Sequence, residues 1–286
     1  MAITLRATWT TLLLLAACGS SAEAPARRPM SAAAKAQLTR DALPKMWQDL
    51  DPAHPLTRLK DPRTGIVFCR VPKGTFTMGS MSSDLEMPPH EVELTRDYLL
   101  AETEVTVAQW QRFVQEHGGN STAPISKRSP QHPMTHLLFD EAADFCATYG
   151  YRLPTEAEWE RAARGGLTEE QGPWRTQRTL SDHAWFHINS KDGPQPVATR
   201  QKNLFGLHDM LGNVWEYCSD WFVQGYGDGA RITDPSGPAQ GLGHTMRGGS
   251  WFTIPGPLPS LRAAEELNVT MRRGSFYGFR PARSLD

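Results

Sequence analysis

Asn203-Leu-Phe-Gly-Leu-His-Asp-Met-Leu-Gly-Asn-Val-Trp-Glu-Tyr-Cys-Ser-Asp-Trp221 consists of short apolar pieces broken by Gly, Asn and Asp. No helical spacing runs through it, and the pattern is that of a twisted sheet with long loops. Its centre, Asp209 to Glu216, can close on a hard cation. Calcium takes six to eight oxygens, and a short loop can supply carboxylates together with backbone carbonyls. The same acids could instead satisfy buried backbone donors with no metal, because buried polar groups need partners.

Upstream of this stretch three helices are legible. Thr106 caps Val107 to His117, with Val107, Trp110 and Val114 on one face and Gly118 as the stop. Asp140 caps a second helix to Tyr149, closed by Gly150. The third opens with the capping box Thr155-x-x-Glu158 and ends at Gly165-Gly166. Before them, Gly65-Ile-Val-Phe-Cys-Arg-Val-Pro-Lys-Gly-Thr-Phe-Thr-Met-Gly79 is β-rich and opens the folded region. After Leu167 no long helix is expected. The 22 Pro and 24 Gly suit a loop-dominated chain, and nine Trp suit a large core or a ligand groove. No internal repeat divides the region, so residues 63–286 are expected to form one α+β domain.

Downstream lie Arg247-Gly-Gly-Ser-Trp251 and Gly278-Phe-Arg280. The first reads as a strand edge where glycines allow close backbone approach. Arg247 and Arg280 are expected in a structural ion-pair network with Glu156, Glu158 or Glu216 rather than in direct substrate contact. Trp251, Phe252 and Trp185 suit either a groove or the core. His132/His136 and His183/His187 have i, i+4 spacing, but Pro133 interrupts the first pair and the second lies in a loop-rich stretch. No further ligand set completes either pair, so they read as loop histidines.

With Tyr151-Arg-Leu-Pro-Thr-Glu-Ala-Glu-Trp-Glu160, these motifs together resemble the sulfatase-modifying-factor family, the formylglycine-generating enzymes and their relatives. The resemblance covers about 220 residues in the family's order and implies a C-type-lectin-like fold with little regular structure. It implies calcium ligation by the side chains of Asp209 and Glu216 and the carbonyls of Gly212 and Val214. The family's other calcium site has no counterpart in His183 to Ser190. It also implies a substrate groove floored by Arg247, Ser250 and Trp251, with Trp185 at its side. In the oxidising members a copper-binding cysteine pair follows closely after RGGSW. Here Phe252-Thr-Ile-Pro-Gly-Pro-Leu-Pro-Ser260 follows, and no cysteine occurs after Cys218. Proline cannot replace the soft thiolates that select Cu(I), so copper and formylglycine generation are not expected. A sulfoxide-forming iron branch carries an extra helical domain for which this chain has no room. A periplasmic branch that matures a siderophore chromophore also lacks the cysteine pair. The implied role is a non-copper enzyme on a peptide-like substrate, or a member that has lost catalysis. The alternative is a module binding a protein, peptide or small molecule, with Trp251 to Arg262 as its recognition loop. An enzyme would show a pocket of converging titratable groups near Arg247 and Trp251, and a binding module an open aromatic surface.

The N-terminal 18 residues read as a lipoprotein signal peptide. Arg6 is followed by the apolar Leu12-Leu-Leu-Leu15, too short to span a membrane, and Leu15-Ala-Ala-Cys18 matches a bacterial lipobox. Lipidation at Cys18 would anchor the chain in the bacterial periplasm. Gly19, which is not Asp, favours the outer membrane. Residues 19–62, rich in Ala, Pro and Arg, read as a tether with a helix over 32–47. Net charge is −1, so nucleic acid is not an expected partner, and the membrane is reached through the lipid alone. Cys69, Cys146 and Cys218 remain, an odd number whose pairing stays open. Asn120-Ser-Thr122 and Asn268-Val-Thr270 match glycosylation sequons by chance.

Overall fold

Tyr98-Leu-Leu-Ala101 is buried along its whole length, and this decides the layering. The computed structural model describes residues 47–51, 53, 57–118, 129–168, 170–254, 262–263 and 273–285. In it, strand β6 (Tyr98–Ala101) lies in a five-stranded sheet of order β1-β2-β3-β6-β12. The others are β1 (Gln48–Asp49), β2 (Arg58–Lys60), β3 (Val67–Val71) and β12 (Ala282–Ser284), and every pairing is antiparallel. Side chains alternate across a strand. Leu99 and Ala101 therefore join one apolar cluster with Phe68, while Tyr98 and Leu100 join another with Cys69 and Val71. A sheet covered on both faces needs apolar residues at successive positions, which is what β6 supplies.

Helices α1 (Val107–His117) and α2 (Phe139–Tyr149) fill the first cluster. Trp110 stacks on Phe145 at 5.8 Å, and Phe145 meets Phe279 edge-on at 5.3 Å. Helix α3 (Glu156–Arg164) fills the second with Trp159 and Ala162. There it meets the sheet of β4 (Gly74–Met78), β5 (His90–Leu94) and β8 (Ile232–Thr233), ordered β4-β5-β8. A smaller cluster of Trp174, Leu180, Ala184, Phe186 and Leu211 gathers around a 3₁₀ turn (Pro173–Arg175) and α4 (Gln177–His183).

The motifs sit on the third sheet, β10-β9-β7-β11. Here β7 is Trp215–Trp221, β9 is His244–Arg247, β10 is Arg262–Ala263 and β11 is Tyr277–Gly278. Glu216 lies directly opposite Arg247 on one side and Gly278 on the other. The three motifs thus meet at one rung of the sheet.

Local chemistry explains the helix ends. In α1, Gln109 N–H donates to Thr106 and Thr106 N–H donates to the Gln109 side chain. In α3, Thr155 and Glu158 close the same box at 3.2 and 2.8 Å. Gly118, Gly150 and Gly165 end α1, α2 and α3 in the left-handed conformation. Helix α2 starts two residues earlier than Asp140 capping would place it. Leu138 is the cap position, because Glu141 reaches back to the Leu138 N–H at 2.9 Å.

Two expectations on the N-terminal side are corrected. The folded sheet begins before residue 63, since β2 pairs with β3 and β1 with β2. Trp47 is not helical, and its ring packs on Phe68 at 5.0 Å. The rest of the 32–47 helix, the 1–18 signal, Cys18 and both sequon asparagines lie outside the described residues. Among the described residues, no helix is long and apolar enough to cross a membrane.

Candidate functional site

The 209–216 loop is a set of left-handed turns: Asp209 and Asn213 both have φ of 55°, and Gly212 has φ of 75°. Gly212 is required there, because a Cβ would lie 2.1 Å from the Trp185 carbonyl oxygen. Gly212 N–H donates to Gly248 O at 2.8 Å, which ties the loop to the RGGSW turn.

Asn213, fully buried, is the hub of the loop. Its N–H donates to Trp185 O (2.7 Å) and its carbonyl accepts from Trp251 N–H (2.7 Å). Its side chain accepts from Gln195 N–H (2.8 Å) and donates to Glu104 Oε1 (3.0 Å). Trp185 and Trp251 are therefore linked through Asn213. Trp185 itself stacks under the Arg200 guanidinium at 3.7 Å and donates to Thr199.

The four expected calcium ligands do not share one environment. Asp209 Oδ2 accepts from Ala198 N–H at 2.7 Å, while Oδ1 is buried with no hydrogen-bond partner. Glu216 has both oxygens engaged. Arg280 donates Nε to Oε2 (2.6 Å) and Nη2 to Oε1 (2.7 Å), and Trp159 Nε1 donates to Oε2 (2.7 Å). Glu104, which the sequence did not single out, is fully buried with Oε2 unpartnered. Among the described residues no group of three or more His, Cys, Asp or Glu is placed to hold a metal ion. The donor chemistry still suits a hard cation at Asp209, whose free oxygen has no other neighbour to satisfy it. Burial raises the Asp209 carboxyl to about 6. Burial, then the charge of Asp209, raises Glu104 well above the carboxylate range.

Arg247 and Arg280 are both structural. Arg280 also donates to the carbonyls of Ala101 (3.0 Å) and His208 (2.9 Å). Arg247 pairs with Glu160 and lies 3.5 Å from Glu156, with its guanidinium 5.4 Å from the Trp159 ring centroid. Glu160, absent from the expected partners, is also bonded by Arg164 (2.6 Å) and by Gly79 N–H (2.9 Å). Burial opposes ionisation of Glu160, but the two arginines prevail and hold its carboxyl below the ordinary value. Glu158 pairs instead with Arg152.

Four residues after Arg247 the same motif reaches the surface. Ser250 Oγ accepts from Phe252 N–H (3.3 Å) and Thr253 Oγ1 accepts from Ser250 N–H (2.9 Å), which makes a tight turn. Trp251 stacks on Phe276 at 5.1 Å and donates to Ser275 O at 3.1 Å. Phe252, 55% exposed, touches Trp251, Phe276 and His187 with its ring edges and faces. Ile188 and Ile254, 61% and 73% exposed, extend the apolar character of these segments. The recognition loop expected from Trp251 to Arg262 is described only to Ile254 and again at Arg262.

The histidine pairs have local partners. His132 bonds Ser129, His136 bonds Thr135, and His183 at the end of α4 bonds Gln201 O. A cavity of about 320 Å³ lies between Leu94, Arg96, Asp97, Tyr98, Arg152, Glu158, Asp234 and Ser284, and only Arg152 and Glu158 among these come from the motifs. Cys69, Cys146 and Cys218 are free and buried. Burial pushes the Cys69 thiol up to about 12 and raises the other two as well, so none is a thiolate at neutral pH.

Comparison with known proteins agrees with this geometry. Residues 58–285 match the model of the sulfatase-modifying factor enzyme 1-like domain. The formylglycine-generating enzyme of Streptomyces coelicolor is 31% identical over 79% of this chain and 91% of that enzyme. A serine/threonine-protein kinase pkn1 of Chlamydia caviae is 30% identical over 78% of this chain, which spans only 38% of the kinase. The structure of PvdO from Pseudomonas aeruginosa has the same fold, with a TM-score of 0.69 at 23% identity, over 81% of this chain and 99% of that one.

Proposed function

The chain belongs to the sulfatase-modifying-factor family, with its α+β C-type-lectin-like fold, and within that family we propose a member that binds a peptide-like ligand without oxidising it. The observation that supports this is how RGGSW divides. Its arginine is buried in ion pairs, and its tryptophan end presents the rings of Trp251, Phe252 and Phe276. No cysteine lies among the described residues of that turn, and the Ser250 and Thr253 hydroxyls are engaged in its own hydrogen bonds. Aromatic rings with exposed apolar neighbours suit a side chain of a peptide, by area burial and ring stacking. The export reading completes the proposal. Lipidation at Cys18 would hold the domain in the periplasm, facing exported ligands. Calcium at the Asp209 loop would stabilise the turns that carry Trp185 and Trp251.

Two experiments test this reading. Purified protein with copper, oxygen and a Cys-x-Pro-x-Arg peptide should give no aldehyde by mass spectrometry. Aldehyde that disappears when Cys69, Cys146 or Cys218 is replaced would restore the oxidase. Tryptophan fluorescence during titration with a panel of aromatic and aliphatic peptides should show saturable binding. A panel with no saturable binder, or one bound equally well by Trp251→Ala, would overturn the aromatic face as the site. Separately, Cys18→Ser should move the protein from the membrane fraction to the soluble periplasm.

A further inference from the structure

Arg58, Arg70, Arg152, Arg231 and Arg273 are partly exposed, and each holds a carboxylate in an ion pair. Arg200 is partly exposed too, but its surroundings differ. Its guanidinium lies 3.7 Å from the centre of the Trp185 ring. Nε is buried without a hydrogen-bond partner. Among the described residues no carboxylate or carbonyl bonds the two Nη groups, which stay open to solvent. The backbone on either side is pinned. Ala198 N–H donates to Asp209 Oδ2 at 2.7 Å, and Gln201 N–H donates to Asp182 O at 2.9 Å. The Arg200 carbonyl accepts from His208 Nδ1 at 2.7 Å, and Thr199 accepts from Trp185 Nε1 at 2.9 Å. These bonds hold Ala198 at φ of 57°, an uncommon conformation for a residue with a Cβ.

A free arginine side chain loses rotamer entropy when it is fixed. Here the ring and the pinned backbone impose that loss before any ligand arrives, so meeting an anion costs less. The ring also takes water from one face of the guanidinium, which strengthens a charge-assisted bond at its open edge. The stack adjoins the aromatic turn. Buried Phe186 separates Trp185 from His187, whose ring meets Phe252 at 5.5 Å. His187 N–H donates to Thr253 O at 3.1 Å, and the Asn213 backbone links Trp185 to Trp251. A prepared cation therefore borders the apolar face.

We propose that the Arg200–Trp185 stack is a carboxylate subsite, so that the ligand carries an acidic group beside the apolar side chain it lays on Phe252. This rests on the peptide-binding reading of the aromatic turn and adds charge selectivity to it. An acidic side chain and a chain-terminal carboxylate present the same two oxygens, and the guanidinium fork can donate to either.

The test titrates the whole chain, by tryptophan fluorescence, with acetylated peptides in which a phenylalanine is followed by a glycine spacer of varied length. Each spacer ends in aspartate amide or its neutral twin asparagine amide, or in glycine with a free carboxylate or its neutral twin glycine amide. In at least one such pair the acidic peptide should bind about tenfold tighter, the worth of one charge-assisted pair. A preference within the first pair marks a side chain as the source, and within the second a chain end. Arg200→Gln should bring the twins to about equal affinity, with a melting temperature within a few degrees of the unsubstituted protein. Arg200→Lys keeps the charge but not the stacked fork, and should retain only part of the preference. Trp251→Ala should weaken both twins by the same factor. Binding of no peptide at all sinks the peptide-surface reading and the subsite with it. Equal binding of all twins, or a preference that survives Arg200→Gln, overturns the subsite alone.

Discussion

Arg247 lies within a few residues of the aromatic turn that follows it, and Arg280 within a few residues of Phe276, yet arginines and rings face opposite environments. Arg247 and Arg280 are fully buried, and their carboxylate partners are buried with them. Phe252, five residues after Arg247, is more than half exposed. Charge has been taken inside and aromatic surface left outside, the reverse of what a hydrophobic core alone would produce. The lesson is that motif residues divide by role. The arginines and acids hold β7, β9, β11 and α3 in register, so that the turn after β9 can present rings at a fixed place.

The sharpest way to break this contrast is to remove a buried partner. Arg280→Met leaves Glu216 buried with Trp159 as its only remaining side-chain donor among the described residues. Breaking a buried pair by deleting one member costs about 3–5 kcal/mol. The comparison variant is Arg273→Met, whose pair with Glu141 is partly exposed, and about 1 kcal/mol or less is expected there. Urea denaturation of both should separate them clearly. Equal losses would mean that the buried centre carries no special share of the stability.

A second measurement uses pH. Asp220 sits beside the buried centre, accepting from Glu156 N–H at 2.9 Å and from Ser219. Burial, then the charge of Glu156, raises its carboxyl to about 7 from 3.8. The folded state therefore holds a proton that the unfolded chain releases above about pH 4. Stability from this group is full below that pH, falls as pH rises, and is lost above about 7. The drop across this window is at most about 4 kcal/mol. Asp220→Asn should flatten that part of the stability–pH profile and raise stability at pH 8. A profile unchanged by the substitution would show that Asp220 ionises normally in the fold.

What could be read in advance follows the range of the interaction. Helices α1 and α3 are set by caps three residues apart, and their limits were legible. The start of α2 shifted because Glu141 caps a backbone N–H, which leaves no trace at Asp140. Helix α4 is only seven residues long and opens on Thr176 within a polar run, so periodicity could not show it. The Arg280–Glu216 pair was among the expected partners. Glu160 and Glu104 were not, because they reach Arg247 and Asn213 across 87 and 109 residues, distances at which local spacing is silent. Within the tether, Trp47 followed by a short β-pair was the available signal for an earlier domain start.

Helix α3 supplies both Glu156 and Glu160 to the buried centre, and its first turn is held by Thr155. Thr155→Ala should therefore cost about 1 kcal/mol, the usual value of a cap. If the helix end is already fixed by Asp220 accepting from Glu156 N–H, the loss will be smaller, and Asp220→Asn combined with Thr155→Ala will be more than additive.

The smallest stability effect belongs to the exposed side, and it bears most directly on function. Phe252 has ring contacts with Trp251, Phe276 and His187, but most of its own surface is in water. Its truncation removes little buried area, so Phe252→Ser should change stability by no more than about 0.5 kcal/mol. The same change removes an aromatic ring from the proposed ligand surface, where a well-packed aromatic anchor is worth about 2 kcal/mol or more. A melting temperature unchanged within a few degrees, together with peptide binding weakened by tenfold or more, is the expected pair of results. A large stability loss would place Phe252 in the core of the turn, and unchanged binding would move the ligand away from RGGSW altogether.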